Sequence, residues 1–425
     1  MISMMRNGTM RSTRRLNRRD FLITTTAAVA AGSLGIRNAD AQPVPVGSSG
    51  LKITDLKIVL SAPPRPGGWN WIFLKIMTDS GIYGWGEASL QEKDAGVIAE
   101  IETFRKFLIG QDPFQIEHIW TSLHRRVTWT GGAVTMSAIS AIDLALWDIK
   151  GKALGVPVYE LMGGKVRDKV KLYANGWFNG SSPEEYARDA KATADKGYKA
   201  MKLYPFGGPQ VPTPERIQLG VDRVAAVREA VGPNVEVGVD VRNALNIWGA
   251  RRVAKKLEPF DLMFMEEPIL YDNSTTLVEL ARETPVPIAV GERLYTRWEF
   301  REVLEKNAVD IIQPDICHAG GISELKKIAA MAETYYVTLA PHNSNGPIST
   351  VASLHLDMMI NNCFMQELIL RFLDRYNEVL TEPLEVVDGH CAPPAGPGWG
   401  TDLREDVLAQ YPPKEYNPVS SGDVF

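Results

Sequence analysis

From Val170 onward the chain alternates short apolar runs with amphipathic stretches. The apolar runs fall at 170–174, 200–204, 235–241, 262–266, 287–292, 311–316, 337–342 and 363–367. Helical patterns lie between them, for example at 183–196, 214–230, 249–257 and 322–335. Eight strands joined by crossovers predict an α/β fold, a modified (β/α) barrel of the TIM type. Its functional groups would stand at the C-terminal strand ends.

Upstream the rhythm differs. Residues 51–60 read as a strand, 63–68 as a turn-rich loop (Pro63-Pro64-Arg65-Pro66-Gly67-Gly68), and 71–78 and 81–86 as two further strands. From about Glu92 to Leu161 the pattern turns helical, at 95–107, 113–123 and 136–154. A meander followed by helices is an α+β unit separate from the barrel. Residues 369–425 carry no further barrel period and are expected to pack back on this opening block.

The first residues stand apart from either pattern. Arg14, Arg15, Arg18 and Arg19 precede an apolar run at 21–34, and Ala39-Asp40-Ala41 follows it. This is the layout of a cleaved export signal. Asn17-Arg18-Arg19-Asp20-Phe21-Leu22 resembles the twin-arginine type, which implies a signal over 1–41 and a periplasmic destination. The run is too short and too rich in Thr and Ala to span ~30 Å of hydrocarbon, so no membrane association is expected once the signal is removed.

Composition narrows the partners. The 425 residues are 45% hydrophobic and 23% charged, with a net charge of −5. These are the proportions of an ordinary globular protein, and no basic stripe for nucleic acid appears beyond the N-terminus. Cys317, Cys363 and Cys391 are widely spaced and form no disulfide framework.

Candidate chemistry sits at the strand ends. Asp240, Glu266 and Glu292 each close an apolar run, at an even period of one strand–loop–helix–loop unit. Neighbouring parallel strands deliver their last residues to one face of a barrel, so the three acids should converge. Carboxylates brought together repel unless a cation lies among them, and an oxygen-only set suits a hard divalent ion, Mg²⁺ first. The bland alternative is that each acid caps the helix that follows it.

Other strands end in Lys202 and Tyr204, which alternate to the same side, in Asp315, in His342 and in Glu367. Asp315 is suited to hold His342 in one tautomer and to favour its protonated form. A cation and a lysine beside a His–Asp pair suggest removal of a proton α to a carboxylate.

These residues fall within longer motifs. They include Gly84-Trp85-Gly86-Glu87, Ser140-Ala141-Ile142-Asp143, Leu161-Met162-Gly163-Gly164, Glu266-Glu267-Pro268, Gly291-Glu292-Arg293, Gln313-Pro314-Asp315 and His318-Ala319-Gly320-Gly321-Ile322. Together they resemble the mandelate racemase group of the enolase superfamily, and within it the galactonate-type sugar-acid dehydratases. The resemblance covers roughly 51–367. It implies Mg²⁺ on Asp240, Glu266 and Glu292, a His342–Asp315 acid/base dyad, and an active-site carboxylate at Glu367. It also implies a capping domain formed by 51–165 and the tail 369–425 around a barrel at 168–368, a small sugar-acid substrate, and a homo-oligomer.

Two positions depart from that pattern. Galactonate-type dehydratases carry a His two residues after the first metal Asp, where this chain has Arg242. Racemases of the group carry a second Lys on strand two, where this chain has Tyr204. An arginine stays protonated at any working pH and is a poor general acid, but it can anchor a carboxylate or hydroxyl of the substrate. It could equally pair with Glu266 or Glu267. Without a second lysine, racemisation lacks a group on one face. The expected reaction is therefore dehydration of an aldonic acid to a 2-keto-3-deoxy acid. The alternatives are cycloisomerisation of a sugar-acid lactone or anhydro-sugar acid, and a catalytically weak periplasmic binding protein. His318 is left without a role.

Overall fold

A computed structural model describes residues 48–62, 69–125, 128–206, 213–243, 245–270 and 273–415. The segment expected to be an export signal, the turn-rich loop at 63–68 and the last ten residues lie outside the described residues.

The opening block is an antiparallel sheet of β1 (Ile53–Ser61), β2 (Trp71–Thr78) and β3 (Tyr83–Glu87), followed by α1 (Asp94–Leu108), α2 (Ile116–Arg125) and α3 (Ala133–Leu154). Helix α3 is apolar nearly all round because it is covered on several sides, by the sheet and by helices. Its backbone comes so close to β3 that a methyl group on Gly84 or Gly86 would strike the carbonyls of Ala145 or Ala141. Those two glycines are fixed by this close approach.

The barrel strands are β4 (Val170–Asn175), β5 (Ala200–Leu203), β6 (Glu236–Asp240), β7 (Phe264–Glu266), β8 (Ile288–Val290), β9 (Ile311–Ile312), β10 (Thr338–Leu339) and β11 (Gln366–Ile369). They pair in the order β10-β9-β8-β7-β6-β5-β4-β11, all in parallel. A parallel bridge between Leu339 and Cys363, with Phe364 N–H donating to the Leu339 carbonyl at 2.7 Å, closes the ring. Tyr173, Phe264, Ile311 and Met365 are among the side chains that fill its interior.

The expected strands exist; β4 and β11 run past the ends of their apolar runs, and the others are shorter than theirs. The run at 311–316 is paired only at Ile311–Ile312, and that at 337–342 only at Thr338–Leu339. Pro314 and Pro341 have no N–H to give the ladder, so pairing stops before them. Asp315, His342, Tyr204 and Glu292 therefore stand on irregular backbone just past the strands.

The tail packs back on the opening block as its lack of barrel period suggests. Trp399 is fully buried and donates from Nε1 to the Trp85 carbonyl at 2.9 Å. Glu405 pairs with Lys57 and Lys75. The tail also adds β12 (His390–Cys391), antiparallel to β4. Among the described residues no helix is long and apolar enough to cross a membrane.

Candidate active site

Strand register sets the centre of the site. Asp240 at the end of β6 is the direct partner of Glu266 at the end of β7. Glu292 follows β8 by two residues, after Gly291, which turns the chain at φ +151. One oxygen from each acid lies within 4.8 Å of the other two. The donors are all carboxylate oxygens, two of them buried, which is a set for a hard divalent cation. Burial, with Glu266 and Glu292 beside it, pushes the Asp240 carboxyl well above its usual range. The residues present thus fit the Mg²⁺ that the strand-end acids suggest.

Lys202 lies beneath these acids. Its Nζ stands 2.8 Å from both oxygens of Glu266 and 3.0 Å from Glu367, fully enclosed. Burial works against its charge, but Glu266 and Glu367 outweigh it and hold the ammonium well above its usual pKa. Glu367 is tied on every side. Oε1 accepts from Asn175 Nδ2 at 2.6 Å, and Oε2 accepts from the Asn343 N–H at 2.8 Å.

The imidazole of His342 reaches in from beyond β10. Nδ1 lies 2.7 Å from Asp315 Oδ2, and Nε2 lies 3.4 Å from Glu292 Oε2. Burial lowers its pKa, while Glu292 and Asp315 raise it further, to about 10 in sum. Asp315 is buried, yet stays below the usual carboxylate range because His318, His342 and the Cys317 N–H offset the loss of water. Asn345 Nδ2 donates to both its oxygens, at 3.1 and 2.9 Å.

A cavity of about 540 Å³ opens over this centre. Asp240, Glu292, His342, Tyr204 and Arg242 are on its wall, whereas Lys202, Glu266, Glu367 and Asp315 stand behind that wall. Tyr204 faces Lys202, whose Nζ is 6.0 Å from the ring centre, and its hydroxyl accepts from Asn175 Nδ2 at 2.5 Å. Arg242 does not pair with Glu266 or Glu267. The chain turns through positive φ at Arg242 and Asn243, which carries the guanidinium to the Tyr204 ring, 5.2 Å away. Glu267 is served instead by Asn243 Nδ2 at 2.6 Å and by Arg293 at 3.3 Å.

Comparison with known proteins agrees with this geometry. Residues 68–163 match the mandelate racemase/muconate lactonizing enzyme N-terminal domain, and residues 185–407 match the enolase C-terminal domain-like family. The chain belongs to the enolase superfamily. Among its relatives, D-galactonate dehydratase of Pectobacterium atrosepticum is 40% identical over 384 residues, covering 87% of this chain and 97% of that protein. D-galactonate dehydratase of Ralstonia pickettii is 41% identical over the same shares. A crystal structure of an enolase superfamily member from Salmonella Typhimurium superposes with a TM-score of 0.81 at 34% identity, over 85% of this chain and 98% of that one. That of a mandelate racemase/muconate lactonizing enzyme from Sulfitobacter sp. gives 0.81 at 33% identity, over 86% and 97%.

Several residues of this site receive no role from the sequence. His318 lies on the cavity wall, with Nε2 3.8 Å from Asp315 and Nδ1 2.8 Å from Ser137 Oγ of α3. Asn175, Arg293 and Arg371 also line the cavity. His318 could have been placed from its spacing of one turn after Asp315. Asn175 ends β4, and Arg293 and Arg371 follow β8 and β11, so only the closed barrel brings them together.

Proposed function

We propose that the chain dehydrates a sugar acid, an aldonic acid giving a 2-keto-3-deoxy acid, as a hydro-lyase. One juxtaposition supports this reading above the rest. His342, fixed by Asp315, presents Nε2 to the cavity wall beside Glu292, a member of the three-acid cluster.

Bound by Asp240, Glu266 and Glu292, Mg²⁺ would polarise the substrate carboxylate and so acidify its α-proton. Lys202 keeps Glu266 and Glu367 charged beneath that site. Asp315 holds Nδ1–H of His342, which leaves Nε2 as the nitrogen that exchanges a proton. Glu292 is the main cause that raises the His342 pKa, and a cation on that carboxylate would cancel it, so that Nε2 takes the α-proton and the electron pair left behind forms the enediolate. That pair then expels the β-hydroxyl, which leaves as water with the proton carried on Nε2. The enol product tautomerises to the 2-keto-3-deoxy acid, and no oxidant is required. Tyr204, on the wall, holds substrate hydroxyls. Glu367 is a positioning residue that acts through Lys202 and Asn343.

The test is to incubate the Mg²⁺-loaded enzyme with a panel of aldonates and aldarates and to assay 2-keto acid. Consumption of lactones with no turnover of any open-chain acid would overturn the reading. That outcome would favour cycloisomerisation, in which the same enediolate expels an internal oxygen. Arg242, which cannot protonate a departing hydroxyl, is instead the feature that favours a catalytically weak binding protein.

Two further parts of the proposal rest on residues outside this site. Export is supported by Arg18-Arg19 and the apolar run at 21–34. A reporter fused after residue 45 that stays in the cytoplasm would refute it. Assembly into a homo-oligomer follows from the family resemblance, and sedimentation would check it.

A further inference from the structure

Among the described residues, two guanidinium groups on the cavity wall have no carboxylate at ion-pair distance, although the charge of Arg242 is felt at Asp240. Arg242 follows β6 and Arg371 follows β11, both are exposed, and among the described residues neither forms an ion pair. Arg242 lies over the Tyr204 ring, and Arg371 gives Nε to the Gly176 carbonyl at 3.1 Å. The third arginine of the cavity, Arg293, is by contrast engaged with Glu267 and Glu292.

A short relay puts the two unanswered groups on one side of the mouth. Arg242 covers Tyr204, whose hydroxyl accepts from Asn175 at the end of β4. Asn175 precedes Gly176, which holds Arg371. The ends of β4, β5 and β6 are consecutive in the ring. This side is therefore a patch with two planar donor forks and, among the described residues, no carboxylate paired to either.

An aldonate offers nothing charged to that patch. Its one carboxylate is taken up at the three-acid centre, and its far end carries hydroxyls only. Closing a neutral chain over two guanidinium groups strips water from them with no charge in return. A second carboxylate would meet them by the charge-assisted, two-point hydrogen bonds that arginine forms best.

We infer that Arg242 and Arg371 form a second anion subsite, and that the substrate is a sugar acid with a carboxylate at each end, an aldarate. The inference rests on the dehydration reading and narrows its substrate. The cavity volume is in the range that holds a small ligand of this kind.

The test compares six-carbon aldonates with aldarates of the same configuration on the Mg²⁺-loaded enzyme. The expected result is a kcat/KM at least ten-fold higher for the diacid. In Arg242→Gln and in Arg371→Gln that ratio falls toward one, chiefly through the KM of the diacid. Equal turnover of both acids, or a ratio unmoved in both variants, overturns the subsite and leaves dehydration standing. If neither acid turns over, binding decides. Calorimetry with adipate and hexanoate reads the subsite without chemistry. Tighter adipate binding that is lost in either variant sustains the subsite although dehydration has failed, and equal binding of the two removes it.

Discussion

His342 Nδ1 lies 2.7 Å from Asp315 Oδ2, and among the described residues no other carboxylate is that close to the ring. The pair decides which imidazole nitrogen can exchange a proton. His342→Asn should lower kcat by about 10³-fold or more, and Asp315→Asn by about 10²–10⁴-fold, while the fold is kept. Neither residue belongs to the three-acid cluster, so a Mg²⁺-dependent rise in Tm should survive in both variants. Full activity in His342→Asn would end the general-base assignment.

The three-acid cluster predicts a dependence of stability on metal. Without a cation, Asp240, Glu266 and Glu292 repel one another in a largely buried space. Chelation should abolish activity and lower Tm, and added Mg²⁺ should restore both. At a free concentration one hundred times its Kd, the ion should stabilise the fold by about 2.7 kcal/mol. Glu292→Gln, the least buried of the three, should remove most of that Tm shift without unfolding the chain. A Tm indifferent to Mg²⁺ would count against the site.

The barrel and the acids were open to sequence reading because both are periodic. Parallel strands recur at a regular interval, so Asp240, Glu266 and Glu292 repeat with the fold itself. The direction of Arg242 is a different kind of fact. It follows from positive φ at Arg242 and Asn243, a backbone choice that no pattern of apolar residues encodes. The enclosure of Lys202 between Glu266 and Glu367 likewise joins β5, β7 and β11, far apart along the chain. Alternation shows that Lys202 points inward, but not that it stops beneath the cavity wall. Arg371 belongs to the same class, since only ring closure brings the residues after β11 to the mouth.

Lys202 should prove as much a structural residue as a functional one. Its ammonium is the counter-charge for Glu266 and Glu367, all three fully enclosed. Lys202→Met keeps the volume and leaves two buried carboxylates without a counter-charge. The expected cost is about 3–5 kcal/mol in urea denaturation. A double change, Lys202→Met with Glu367→Gln, should recover part of it, because one of the stranded charges is then gone. A single variant as stable as the parent would show that the acids are neutral in the fold.

Glu87 makes the last case, because it joins the opening block to the loop that carries His342. It ends β3, and its Oε1 accepts from the Gly346 N–H at 2.5 Å and from Ser89 Oγ at 2.6 Å. Oε2 accepts from the Ser349 N–H at 2.8 Å, so the carboxylate caps the helix at Pro347–Met359. Burial nevertheless pushes its pKa up from 4.5 to about 7, against these hydrogen bonds. A carboxyl with a raised folded pKa contributes stability that is complete below its unfolded value and is lost as pH rises through the folded one. Over pH 4.5 to 7 the loss should approach about 3 kcal/mol. Glu87→Gln cannot ionise and escapes that loss, although its single acceptor oxygen forfeits about 1–3 kcal/mol of capping at every pH. Relative to the parent, the variant should therefore be less stable at pH 5 and draw level or better by pH 8. Urea denaturation across that range in constant Mg²⁺ reads the crossover. A gap that does not change with pH would mean that the Glu87 carboxyl ionises normally, and that its hydrogen bonds to the helix outweigh its burial.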